Sequence, residues 1–237
     1  MRYLVLADVH SNLEALEACI EDAQKHDYGR ILCLGDIVGY NANPNECIEL
    51  LRKNEAICLM GNHDAACAGK LSYDWFNPFA RQCIEWTIKE LSGKNKRFLA
   101  SLPVFFSCKW LFAVHGTPNN PIEEYMDEKK AMAAMRTVFE NVVLCAHNHV
   151  PFKVEQNAKL VPLPGNKKIK LNKRIVVSMP AVGQPRDFDP RAGYGILDFE
   201  KKTLQIIRIS YDLEKAASKV KSAGLPEFIS ERLKKGT

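Results

Sequence analysis

Short apolar runs in the first part of the chain each stop at a polar cluster. Residues 2–8 run apolar into Asp8, Ile31–Leu34 stops at Gly35-Asp36, and Ala56–Met60 stops at Gly61-Asn62-His63-Asp64. Runs of this length bounded by turn residues predict buried strands. Between them, Ser11-x-x-Glu14 predicts a capping box ahead of a helix face of Leu13, Leu16 and Ile20. Asn43-Pro44 predicts a second helix start, with Asn as the cap, Pro at the first helical position and Glu46 at the third. This β-α-β-α-β order predicts parallel strands with right-handed crossovers. Ligands of such sheets gather beyond the carboxyl ends of the strands. Strand alternation would point Asp8 and His10 the same way, as half of a metal site. The alternative is a helix-capping Asp beside a satisfied His.

The alternation breaks over residues 65–101. Asn77-Pro78 begins another helix, with Ala80, Cys83, Ile84, Thr87, Ile88 and Leu91 on one face. Trp75, Phe76 and Trp86 make this helical insert aromatic, either as a lid beside the strand ends or as an outer packing layer. Strands are predicted at Val104–Ser107, at Trp110–Val114 running into His115-Gly116, and at Val142–Cys145 running into Ala146-His147-Asn148-His149, with a helix over about 128–139 before the last. Beyond 150, short strands around 151–156, 159–163, 174–178, 193–199 and 203–209 predict an antiparallel set. Asp212 caps one terminal helix, and Gly224-Leu225-Pro226 separates it from a last one. With no repeat, low-complexity tract or linker, one α/β domain over residues 1–237 is the economical reading.

Composition narrows the class without choosing a function. Apolar residues make up 46% and charged residues 26% of the chain, as in ordinary soluble proteins. No stretch approaches the roughly 20 apolar residues of a membrane span, and the N-terminus has no basic-plus-apolar leader. Eight cysteines without a C-x-x-C pair, most inside apolar runs, predict buried small hydrophobes and a reducing, cytoplasmic setting. Cys145 follows that pattern, although it stands close to His147 and His149. The net charge of +5 would help draw anions to a cleft and does not imply nucleic acid. Lys167–Arg174 is expected to be a solvated turn and strand edge.

Of six histidines, His10, His63, His115, His147 and His149 follow predicted strand ends, joined by Asp8, Asp36 and Asn62. Buried there, these groups would be costly unless satisfied, and metal binding satisfies many at once. Imidazole mixed with carboxylate suits Mn, Fe, Zn, Ni or Co better than Ca or Mg. So many donors exceed one tetrahedral ion and fit two divalent transition-metal ions sharing a carboxylate.

Asp8-x-His10, Gly35-Asp36-x-Val38-Gly39, Gly61-Asn62-His63-Asp64, His115-Gly116 and His147-x-His149 occur in that order. The series resembles the calcineurin-like metallophosphoesterases. Gly183-Gln184-Pro185-Arg186-Asp187 and the compact length look similar to small bacterial members, the YfcE-like phosphodiesterases. The resemblance implies a four-layer α/β/β/α sandwich of two mixed sheets flanked by helices. It implies a first metal on Asp8, His10 and His149, a bridging Asp36, and a second metal on Asn62, His115 and His147. His63 would face the leaving oxygen as an imidazolium oriented by Asp64, unless Asp64 is only a helix cap. Asn12, Tyr40 and Arg186 are candidate substrate contacts; Arg186 could instead pair with Asp187 or Asp189. Two features depart from related patterns. The Asp and Arg that follow Gly-Asp-x-Val in protein Ser/Thr phosphatases of this superfamily are Gly39 and Tyr40 here, and Ala146 stands where Gly is usual. The expected activity is hydrolysis of a small phosphodiester, phosphomonoester or dinucleoside polyphosphate, with no membrane or nucleic-acid partner and no signal of oligomeric state. Alternatives are a nuclease of the same superfamily and a scaffold without catalysis.

Overall fold

The computed structural model describes residues 1–237. Its first sheet is built on three parallel strands, β1 (Arg2–Leu6), β2 (Arg30–Cys33) and β3 (Ile57–Cys58). Between them run α1 (Leu13–Ala23) and α2 (Pro44–Lys53). The predicted opening is therefore present. The second sheet has its own parallel trio: β5 (Leu111–Val114), β6 (Val142–Cys145) and β10 (Ile175–Ser178). Helices α3 (Asn62–Cys67), α4 (Pro78–Glu90) and α5 (Gly93–Ala100) lie between β3 and β4 (Phe105–Cys108), and α6 (Glu128–Thr137) precedes β6.

The strands after residue 150 divide between the two sheets. β7 (Phe152–Glu155) and β8 (Val161–Pro162) join the second, in order β4-β5-β6-β10-β7-β8. β9 (Lys167–Lys170), β11 (Ala192–Asp198) and β12 (Thr203–Ile209) complete the first, in order β3-β2-β1-β11-β12-β9. The expected antiparallel set is thus corrected: β10 pairs parallel with β6 and antiparallel with β7. Lys167–Lys170, expected as a turn and strand edge, is a full edge strand whose backbone pairs with β12. Its lysines leave the outer edge charged. Helices α7 (Leu213–Ser222) and α8 (Glu227–Lys235) close the chain, the first capped by Asp212.

Alternation along the strands builds the four layers. In β1, Leu4 and Leu6 enter a core shared with the helices, while Tyr3 and Val5 enter one shared with the second sheet. In β6, Val142 and Leu144 face the first sheet, and Val143 and Cys145 face Ala131, Ala134 and Met135 of α6. Each face buries one half of a two-residue period, so a one-residue slip would reverse them all. All eight cysteines are unpaired thiols and seven are buried; Cys145 belongs to the α6 core.

Two caps differ from expectation. Asn12, not Ser11, caps α1, its Oδ1 accepting from Ala15 N at 3.1 Å. Ser11 has φ 56° and gives its amide to Ile37 O, so the helix begins one residue later. Glu14 turns instead to Lys219 of α7, at 2.6 Å. Asn43 makes no side-chain cap; its Oδ1 accepts from Lys219, and Pro44 alone sets the start of α2. No helix is long and apolar enough to cross a membrane.

Candidate metal centre

The carboxyl ends of both parallel trios meet at one place. The segments beyond β1 and β2 stay in register after the strands end: Asp8 N donates to Gly35 O, His10 N to Asp36 O and Ser11 N to Ile37 O. The tails of β5 and β6 are joined by Ala146 N to His115 O. His147 N then donates to Asp8 Oδ1 across the two sheets, at 3.2 Å.

Strand alternation is not what brings Asp8 and His10 together, because β1 ends at Leu6. Asp8, His10, Asp36, His147 and His149 have φ of 52°, 47°, 51°, 67° and 59°. Asp and His tolerate this left-handed region better than most residues, and five such backbones in one site mark a surrounding structure that over-determines them. Gly61 answers to the same crowding. A Cβ there would lie 2.1 Å from Asp36 Oδ1, so only glycine lets α3 approach the carboxylate.

Hydrogen bonds fix the ring tautomers. His10 Nδ1 lies 3.1 Å from Val38 O, His115 Nδ1 2.9 Å from Leu34 O, His149 Nδ1 2.6 Å from Gln184 O and His147 Nε2 3.2 Å from Glu123 O. A carbonyl only accepts, so each of these nitrogens carries the proton and the other nitrogen of each ring is a bare lone pair. These lone pairs face one another: His10 Nε2 is 3.2 Å from His149 Nε2, and His115 Nε2 is 3.2 Å from His147 Nδ1. Asp36 Oδ2 lies between the pairs, 3.5 Å from both His10 Nε2 and His115 Nε2. Asp8 Oδ1 is 3.5 Å from His149 Nε2. Asp8 Oδ2, Asp36 Oδ2 and Asn62 Oδ1 are buried without a hydrogen-bond partner. Lone pairs aimed at lone pairs, beside orphaned oxygens, are unfavourable unless cations lie among them. Two groups could hold them: Asp8, His10, Asp36 and His149, and Asp36, His115 and His147, with Asn62 Oδ1 as an added neutral donor.

A model of the calcineurin-like phosphoesterase family matches residues 1–151. The chain belongs to that family. It is 37% identical over 234 residues to an uncharacterized protein of Methanocaldococcus jannaschii, covering 97% of this chain and 96% of that one. The crystal structure of a metallophosphoesterase from Sphaerobacter thermophilus superposes with a TM-score of 0.91 at 36% identity, covering 100% of this chain and 99% of that one. A hypothetical protein of Pyrococcus horikoshii shares the fold at TM-score 0.83 and 22% identity, with 100% and 98% of the two chains covered.

Around the donors, this phosphoesterase forms a pocket lined by Tyr40, Asn62, His63, Phe76, Tyr125 and Arg186, among others. Arg186 does not pair with Asp187 or Asp189. Those carboxylates take Arg208 and Arg191, while Arg186 Nη2 donates to Gln184 Oε1 at 3.1 Å and to Tyr40 Oη at 3.3 Å. Its Nε is buried and unpartnered. Asn12 lies outside the pocket lining, and its carboxamide is occupied by the α1 cap, Gly183 O and Tyr211 Oη. It braces the loop before Arg186.

His63 keeps its place at the pocket but not its expected partner. Asp64 Oδ1 accepts from Ile37 N and Val38 N, and Oδ2 from Gly61 N; no bond reaches His63. Asp64 therefore caps α3 and ties it to the Asp36 loop. The His63 ring packs against Tyr40, His10 and Phe76, and its backbone N donates to Asp36 Oδ1 at 2.9 Å. Its Nδ1 has no partner, and a Cβ on Gly39 would lie 2.3 Å from that atom.

Burial dominates the titration of the cluster. It pushes the Asp8 carboxyl up to about 7, Asp64 up to about 6, and Asp36 well above the carboxylate range, the last also repelled by Asp64 and Asp8. It holds His115 down to about 3 and His147 to about 2, and His10, His63 and His149 well below the usual imidazole value. Burial and the Arg186 charge both disfavour the His63 imidazolium.

Stability of the metal-free protein should follow. The raised carboxyls contribute stability at low pH that is lost as pH rises through about 7. The depressed histidines contribute stability above their unfolded value of about 6.5 that is lost as pH falls toward their folded values. The urea midpoint of chelated protein is expected to peak near neutrality and to fall at about pH 5 and about pH 8.5. Saturating metal should remove the alkaline fall, since the ligands are then needed ionised. A metal-free midpoint that is flat across this range contradicts the buried cluster.

Proposed function

We propose that the chain is a two-metal hydrolase of small phosphate esters. One observation carries this reading: the four histidine lone pairs and the orphaned carboxylate oxygens converge around Asp36 Oδ2. Asp8, His10 and His149 would hold one divalent ion, Asn62, His115 and His147 the other, and Asp36 would bridge them. Such ions supply a water acidified to near neutral pH and a Lewis-acid clamp for phosphoryl oxygens.

The protein's own groups do the rest. The backbone carbonyls of Val38, Leu34, Gln184 and Glu123 orient the rings and keep each donor nitrogen unprotonated. Asn62 contributes an oxygen without charge, so the site keeps net positive charge for a phosphate. Arg186, held by Gln184 and Tyr40, presents a guanidinium with no carboxylate partner to a non-bridging oxygen. His63, which lines the pocket beside the donors, would give a proton to a departing alkoxide. Burial disfavours the imidazolium in the free protein, so the proton His63 gives would be one taken up with the anionic substrate. Mn, Fe, Zn or Ni fits the donor set.

The test is a substrate panel on chelated and reloaded protein: bis-p-nitrophenyl phosphate, p-nitrophenyl phosphate and dinucleoside polyphosphates, each with Mn, Fe, Ni, Zn and Mg. Hydrolysis that chelator abolishes and a transition metal restores is the expected result. Turnover indifferent to chelator, or none on any ester, contradicts the reading. A nuclease would instead show DNA binding that weakens steeply with salt.

A further inference from the structure

Two aromatic rings stand at the mouth of the pocket with much of their surface in water. Trp75 is 56% and Tyr125 50% exposed, yet both line the pocket that contains Asp36, His63 and Arg186. Exposed aromatic rings that line a polar site offer faces a ligand can cover.

Their placement is specific. On one side the His63 ring lies 5.2 Å from Phe76, and Phe76 lies 4.4 Å from Trp75 at 74° between planes. A group leaving past His63 therefore meets Phe76 and then Trp75. On the other side Tyr125 stacks on His147 at 3.9 Å and 13°, which leaves its opposite face free of that ring. The Tyr125 loop is pinned by a pair of bonds, Met126 N to Asn148 Oδ1 at 3.1 Å and Asn148 Nδ2 to Met126 O at 2.9 Å. Trp75 sits on a turn closed by Phe76 N to Tyr73 O at 3.1 Å, just before the Asn77 cap of α4. Helix α4 itself is packing, with Ala80, Cys83 and Ile84 in the core, so the insert presents a fixed edge to the pocket.

We infer that the exposed face of Trp75, braced edge-on by the buried Phe76, is a stacking platform for a flat ring on the leaving-group side, so that the substrates are phosphoesters of alcohols that carry such a ring, nucleosides or aryl alcohols, rather than of alcohols without one. Every heterocyclic base offers a face to such a platform, and stacking on one aromatic ring is worth about tenfold or more in affinity. The inference rests on the phosphoesterase reading above.

Competitive inhibition by product-like anions tests it on the metal-loaded protein, with bis-p-nitrophenyl phosphate as reporter. The probes are adenosine 5′-monophosphate, phenyl phosphate, glycerol 3-phosphate and inorganic phosphate. In the unaltered protein both ring-bearing probes should bind more tightly than glycerol 3-phosphate. Trp75→Ala should weaken them about tenfold while the constant for inorganic phosphate moves less than about twofold, and Trp75→Phe should recover most of the loss. Loss confined to adenosine 5′-monophosphate narrows the class to nucleosides and supports the inference; loss confined to phenyl phosphate narrows it to simple aryl esters and likewise supports it. Equal weakening of all four probes, or of none, overturns it. If the unaltered protein hydrolyses no ester with any metal, the underlying reading fails instead.

Discussion

Asp36→Asn is expected to empty both cation positions at once and to lower turnover by at least about a thousandfold. Asp36 Oδ2 is the one atom within 3.5 Å of a free nitrogen from each histidine pair. The other oxygen, Oδ1, accepts from His63 N at 2.9 Å. An asparagine that keeps this bond turns its NH2 toward His10 and His115, where it donates to the lone pairs a metal would use. The fold should not suffer. Three carboxyls, Asp8, Asp36 and Asp64, are buried together, and their mutual repulsion helps raise the Asp36 titration point. Removing one charge should leave the metal-free variant as stable as the unaltered protein, or more stable by about 1–3 kcal/mol. Elemental analysis, activity and a thermal melt of the same preparation report all three effects. A variant that keeps two metals and its activity would show that Asp36 does not bridge.

His63→Gln separates proton donation from metal binding. Turnover is expected to fall about 10²- to 10⁴-fold while metal content stays that of the unaltered protein. The ring belongs to neither donor group, and it touches the centre through its backbone N and by packing on His10. If His63 serves the leaving oxygen, the loss should be greater for an alkyl ester than for p-nitrophenyl phosphate, whose leaving group departs without a proton. An equal loss for both would place His63 in binding rather than in proton transfer, and a loss of metal would make it a ligand.

The donors were legible because each interrupts an apolar run where a buried strand ends. Asp8, Asp36, Asn62, His115, His147 and His149 needed no more than that pattern and their order. The backbone that aims them was not legible, since nothing in Ala7-Asp8-Val9-His10 announces φ near +50°. The role of Asp64 was ambiguous for a related reason. A helix cap and a histidine partner have the same sequence, and only the nearness of the Ile37 and Val38 amides decides between them. The carbonyls that fix the four tautomers left no trace, because every residue has one. β9 was legible only as part of a turn and strand edge, because Lys-Lys-Ile-Lys pairs as a full strand through its backbone alone. The platform residue Trp75 stood out as part of an aromatic segment, but its opposite number Tyr125, 50 positions on, carried no signal until the fold brought both to one pocket.

The most direct measurement is anomalous diffraction from crystals of the full chain grown with Mn²⁺. Two peaks per chain, about 3.5–4 Å apart and on either side of Asp36 Oδ2, are the expected result. A single peak, or none within reach of Asp36, would contradict the two-cation centre on which the proposed chemistry stands.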